Sequence, residues 1–194
     1  MDVRDEAALV AAVRHGDETA FARLYAAYQG PIYRYALHTC GAAAADDVVQ
    51  ETFLVLLRGE QRFDPRRGTL VGYLFGIARH HILKRISAAQ RELPMADDAV
   101  EALAGHEEVL DGVSRAEAVL AVREAIQSLP LVYREILTLC ELDELDYGTA
   151  AAVVGCPIGT VRSRLHRAKV LLRLKLAEVR VKADAAYRTR SRSA

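Results

Sequence analysis

The chain has 194 residues, 52% of them hydrophobic, and its 26 Lys and Arg are balanced by 26 Asp and Glu, so its formal net charge at neutral pH is zero. That apolar content, without low-complexity blocks, excludes a globally disordered chain, and no run of ~18 apolar residues offers a membrane span. The opening MDVRDEAALV mixes acids with a single Arg and does not read as a signal peptide, which points to a cytoplasmic protein.

Helical signals dominate in chain order and strand signals are nearly absent. Leu9, Val10 and Val13 form a short apolar stripe closed by Gly16, and Asp17 is placed to cap a helix carrying Phe21, Leu24, Tyr25 and Tyr28. Gly30-Pro31 predicts a break, with Pro31 in the first turn of a new helix bearing Ile32, Tyr35 and Ala36. After a turn at Gly41, Asp46 or Asp47 is expected to open a helix with Val49, Phe53, Leu56 and Leu57 on one face. The segment RGEQRFDPRRGT (58–69) reads as a loop. Leu70, Leu74, Ile77 and His81 then line a longer helix to about Ile86, and the first domain is expected to span 1–93.

Residues 94–113 carry Pro, Gly and acids with little periodicity, the pattern of a flexible linker. Ser114-Arg115-Ala116-Glu117 is a capping-box pattern, which predicts a helix from there to Ser128. Pro130 starts another helix, through Ile136, Leu137 and Cys140. A short helix follows from about Tyr147 to Val154, and Pro157 starts a long last one. The fold class is all-α: two small helical domains, 1–93 and 114–178, the second with a helix-turn-helix, then a basic tail, 179–194.

The zero net charge hides a segregation. Residues 94–118 hold seven acids and one base, Arg115, whereas residues 162–192 hold eleven bases against Glu178 and Asp184. Such asymmetry fits either nucleic-acid binding by the basic part or a solvated helix face with a flexible tail. Cys40, Cys140 and Cys156 form no C-x-x-C pair and read as buried free thiols, and the adjacent His80 and His81 cannot clamp one metal from a helix. No phosphate loop, nucleophile elbow or H-E-x-x-H occurs, so neither an enzyme nor a cofactor or metal site is expected.

The basic stretch GTVRSRLHRAK (159–169) has a more specific context. A helix-turn-helix needs a small residue where its helices cross, a glycine able to adopt positive φ at the turn, and a branched apolar anchor on the second helix. Ala151, Gly155 and Val161 supply these. On a helical wheel Val161, Leu165, Ala168 and Leu172 share one narrow face, with Ser163, His166 and Arg167 opposite and Arg162 and Arg164 on the flanks. Such a helix can sit in the major groove, with Arg bidentate to guanine and flanking cations on phosphates. The other reading of the same cations is an Arg-rich surface helix in an ordinary bundle.

Four stretches resemble the extracytoplasmic-function (ECF) group of bacterial sigma factors, the two-domain promoter-recognition subunits of RNA polymerase. They are FARLYAAYQGPIYRYAL (21–37), ADDVVQETFLVLL (45–57), YLFGIARHHILKRI (73–86), and LPLVYREILTL through GCPIGTVRSRLHRAKVLLR (129–173). The resemblance implies a factor that binds core polymerase and directs transcription initiation. Asp46, Asp47, Gln50 and Glu51 would dock on the clamp helices of the polymerase's largest subunit. The loop residues Arg62, Phe63, Arg66 and Arg67, with Tyr73, Arg79, His80, Lys84 and Arg85, would read and melt the −10 element. Thr160, Arg162, Ser163, Arg164, His166 and Arg167 would read −35. Relatives commonly carry Trp where Tyr73 stands and Asn where His80 stands, and often G-L-S-Y-x-E-I-A where this chain has ELDYGTAAA. An anti-sigma factor is the further partner implied. The alternative is a stand-alone helix-turn-helix transcriptional regulator, which would bind a palindromic operator without polymerase.

Overall fold

The computed structural model describes residues 3–59, 63–92 and 115–190, all helix, turn or loop, with no strand among them. The first cluster comprises α1 (Val3–Arg14), α2 (Glu18–Cys40), α3 (Ala42–Arg58) and α4 (Leu70–Glu92). The second comprises α5 (Arg115–Gln127), α6 (Leu131–Leu137), a π-helical turn (Thr138–Leu142), α7 (Tyr147–Val154) and α8 (Ile158–Arg190). The expected linker 94–113, Ser114 and residues 191–194 lie outside the described residues.

In the first cluster the 3.6-residue spacing delivers Leu24, Ile32, Tyr35, Val48, Phe53, Leu56, Leu70, Leu74, Phe75 and Ile82 to one core. Each such burial stabilises by about 1.5–3 kcal/mol before chain entropy is counted. Local chemistry sets two helix starts. The Asp17 carboxylate accepts from the Ala20 N–H at 3.0 Å, as its position predicts. At α4, Thr69 Oγ1 accepts from Gly72 N at 3.2 Å. The nearly buried Glu6 reaches from α1 to accept from Leu70 N at 2.9 Å, so two first-turn donors are satisfied.

Two expectations about helix boundaries are corrected. Helix α2 does not break at Gly30-Pro31 but runs unbroken from Glu18 to Cys40. Proline also disfavours helical backbone at the residue before it by clashing with that residue's Cβ and N–H, and Gly30, having no Cβ, escapes part of that restriction. Burial of Leu24, Ile32, Tyr35, Ala36 and Leu37 along the same helix then outweighs the ~3 kcal/mol that an internal proline costs. Helix α3 starts at Ala42, with Gly41 as N-cap, so neither Asp46 nor Asp47 caps it. Four consecutive alanines extend the helix one turn earlier than the acids suggest.

The two clusters pack directly on each other. Helix α4 lies against α7, and α2 meets α5, α6 and the π turn. The core is continuous across the contact and takes in Ile126, Leu129, Ile136, Leu139, Ala150, Val161, Leu165 and Ala168 of the second cluster. Helix α8 continues to Arg190, so the expected tail is helical up to that residue.

Candidate nucleic-acid interface and acidic face

The turn between α7 and α8 is built as its three marker residues require. Gly155 adopts φ +73° and donates its N–H to Ala151 O at 2.8 Å, closing α7 in the left-handed conformation that glycine reaches without strain. Ala151 is buried at the crossing and Val161 is fully buried beneath α8. At the start of α7 the Asp146 carboxylate accepts from Gly148 N at 2.8 Å, Thr149 N at 3.0 Å and Thr149 Oγ1 at 2.6 Å. The Thr149 side-chain bond, with the backbone donors, holds its carboxyl below the ordinary range. This double cap offsets the weak helix propensity of Gly148.

Helix α8 presents the predicted faces. Val161, Leu165 and Ala168 are buried and Leu172 is half-buried, while Arg162, Ser163, His166 and Arg167 are exposed and Thr160 and Arg164 are half-buried at the margin. The Arg162 guanidinium stands 5.8 Å from the Tyr147 ring centroid, a cation–π contact that orients it. Lys169 bonds Glu141 of the π turn at 2.7 Å, which ties the middle of α8 to the domain. Its cation therefore serves the fold as well as the surface charge.

Helix α3 presents Asp46, Asp47 and Gln50 outward, with Glu51 half-buried at the edge of that face. Arg85 of α4 reaches across to this edge, Nη1 to Glu51 Oε2 at 2.8 Å and Nη2 to Asp47 Oδ2 at 3.4 Å. His81 Nδ1 adds a contact to Glu51 Oε2 at 2.6 Å. The Arg85 hydrogen bond dominates and keeps the Glu51 carboxyl below its ordinary value, whereas burial lowers His81. Two sets of residues assigned separately from sequence, the acids of α3 and the cations of α4, thus meet in one ion-pair cluster.

Of the loop residues, Phe63 is half-buried and packs against half-buried Tyr73 in a tilted arrangement, ring centroids 5.5 Å apart, and Arg66 and Arg67 are exposed. Arg62 lies outside the described residues. On α4, His80 and Lys84 are exposed. Arg79 instead points into the contact between the clusters, where its Nε donates to Glu135 Oε1 at 2.7 Å. Phe63, Arg67 and Tyr73 from the first cluster, with Asp146, Thr149 and Val153 from the second, line a cleft of about 780 Å³.

Residues 24–92 match the Sigma-70 region 2 family and residues 120–172 match Sigma-70, region 4. The ECF RNA polymerase sigma factor SigC of Mycobacterium tuberculosis (strain CDC 1551 / Oshkosh) is 35% identical over 170 residues, covering 85% of this chain and 89% of the relative. The chain belongs to the ECF sigma factors of RNA polymerase. The ECF RNA polymerase sigma-E factor of Escherichia coli (strain K12) is also 35% identical to this sigma factor, over 172 residues, 83% of this chain and 88% of the relative. The fold is shared with RpoE of Bartonella quintana in complex with the anti-sigma factor NepR, at TM-score 0.64 and 24% identity over 81% of this chain and 96% of that one. It is shared also with CnrH in complex with the cytosolic domain of CnrY, at TM-score 0.63 and 24% identity over 91% of this chain and 99% of that one.

Sequence reasoning missed the groups through which the sigma factor's two clusters meet: Arg34 and Tyr35 on α2, Arg134 and Glu135 on α6, and Asp143 after the π turn. One signal was available. Glu135 stands four residues from both Leu131 of its own helix and Leu139 of the π turn that continues it, on an apolar line where an acid is out of place unless something answers it.

Proposed function

We propose that this chain acts as the promoter-specificity subunit of RNA polymerase, without catalysis of its own and in the cytoplasm, with its duties divided between the two clusters. Asp46, Asp47, Gln50 and Glu51 offer the cationic clamp helices of the polymerase's largest subunit an acidic-amide face. Phe63, Arg66, Arg67, Tyr73, His80 and Lys84 take the −10 element, where an unstacked base needs an aromatic surface and the separated strand needs cations. Arg79 and Arg85 belong to the same group, each already holding a carboxylate partner. Thr160, Arg162, Ser163, Arg164, His166 and Arg167 take −35 in the major groove. Among the described residues no helix is long and apolar enough to cross a membrane.

The observation that carries this reading is the coexistence, in one chain, of an exposed acidic face on α3 and an exposed cationic face on a helix-turn-helix. A stand-alone regulator has use for the second alone. RpoE of Bartonella quintana is seen with an anti-sigma factor, and a partner of that class is proposed for this chain too. The test is a mobility shift of promoter DNA with and without core polymerase. The proposal requires a shift that depends on core, and a full shift of DNA by the chain alone contradicts it. Binding should also weaken steeply as salt rises, because Lys and Arg displace counterions from the phosphates.

A further inference from the structure

Among the cations of α8, Arg162 is held in a way that the others are not. It follows fully buried Val161, so its backbone is anchored on the core. Its guanidinium carbon stands 5.8 Å from the Tyr147 ring centroid, within the ~6 Å at which a ring face attracts a cation. Among the described residues it takes no ion pair or hydrogen bond besides. Tyr147 is 40% exposed, and its hydroxyl likewise has no hydrogen-bond partner among the described residues. The acid before it, Asp146, is spent on capping α7, where it accepts from Gly148 N, Thr149 N and Thr149 Oγ1.

A ring holds a cation differently from a carboxylate. A carboxylate neutralises the charge and occupies N–H donors, as Glu141 does for Lys169 at 2.7 Å. A ring face attracts the charge through its quadrupole and needs none of the N–H groups. Arg162 thus keeps its donors in their planar fork, the geometry that matches O6 and N7 of guanine in the major groove. A side chain already held also has fewer rotamers to surrender on docking, so less entropy opposes its contact with DNA. Arg164 and Arg167 have neither a ring nor a carboxylate to hold them among the described residues.

We propose that Tyr147 is a positioning residue for −35 recognition: its ring face holds the Arg162 guanidinium with the N–H edge free to pair with a guanine in the major groove. The inference rests on the promoter reading above and deepens its −35 part, since it gives α7 a share in the specificity of α8. The Asp146 cap fixes where α7 begins and so where the ring stands. Tyr147 touches no base in this arrangement and acts through Arg162 alone.

Base preference, measured position by position, tests it. The full-length chain, reconstituted with core polymerase, selects from duplexes randomised over both promoter elements, and the bound pool is sequenced. The wild type should prefer guanine at a −35 position where Arg162→Ala abolishes the preference. Tyr147→Leu keeps apolar bulk without a π face. It should weaken that same preference about two- to fivefold, the weight of an exposed cation–π contact, and leave the other positions unchanged. Tyr147→Phe keeps the ring without the hydroxyl and should retain the preference in full. A uniform loss at all positions in Tyr147→Leu would make Tyr147 structural only, and a Tyr147→Phe variant as impaired as Tyr147→Leu would assign the effect to the hydroxyl. Either result overturns the proposal, as does a guanine preference that survives Tyr147→Leu undiminished or ignores Arg162→Ala. A wild type that selects no −35 sequence at all brings down the −35 reading itself and the proposal with it, a failure distinct from each of the others.

Discussion

Glu144 holds a backbone conformation that its side chain disfavours. Its φ of +54° lies in the left-handed region, in the turn that leads from the π-helical segment into the Asp146 cap. The resembling sigma factors often have Gly at this position. Glu144→Gly should therefore stabilise the protein by about 0.5–1 kcal/mol, the relief of left-handed strain less the chain entropy that glycine adds. Urea unfolding checks this through a higher midpoint at an unchanged slope. The neighbouring Asp143 gives a prediction with a sign. Arg34 bonds its Oδ1, while its buried Oδ2 has no partner among the described residues. Burial pushes the carboxyl up to about 6, against an opposing pull from Arg34. A raised folded-state value means that the folded form holds the proton more tightly, so this contribution is present at low pH and is lost as pH rises through about 6. Compared with Asp143→Asn, the wild type should gain on the order of 1 kcal/mol in stability between pH 7 and pH 5. A wild type that loses ground over that interval would mean that the Arg34 pair, not burial, governs the site.

Local elements follow local rules, and here most of the architecture was readable in advance. The apolar faces of α3, α4 and α8 came from periodicity, save that Leu57, expected on the α3 face, is exposed, and the Ala151, Gly155 and Val161 pattern located the turn because each residue answers a steric demand. The misjudged boundaries show where such rules lose. At Gly30-Pro31 the local breaker was overridden by burial on both sides of it, and at α3 alanine propensity outran the acids as a start signal. Within α8 the geometry separates two roles. Arg167 is exposed and opposite the buried face, whereas Arg164 is half-buried on the flank. Arg167→Ala should cost about 1–3 kcal/mol selectively at the −35 sequence, as loss of a base contact does, while Arg164→Ala should weaken all DNA alike. Competition between −35 and scrambled duplexes on the reconstituted holoenzyme distinguishes them. Loss of neither kind from either variant would remove the recognition-helix assignment.

At the scale of the whole molecule the sequence was least informative. The partners that Glu135, Arg134 and Asp143 find on the first cluster lie 56 to 109 positions away, and no periodicity encodes which distant helix a buried acid will meet. The α3 acids illustrate the same limit. Their exposure was foreseeable, but the Arg85 and His81 cluster that engages Glu51 and Asp47 was not. That cluster also selects the better test of polymerase binding. Reversing Asp47 or Glu51 would break pairs that join α3 to α4, whereas Asp46 and Gln50 are exposed and take no part in that cluster. The measurement that bears most directly on the account is co-purification of the full-length chain with core RNA polymerase, wild type against Asp46→Arg/Gln50→Arg. The wild type should form a stoichiometric complex, and the variant should lose it at unchanged helical content. A wild type that passes core without binding, or a variant that binds as well as the wild type, would contradict it.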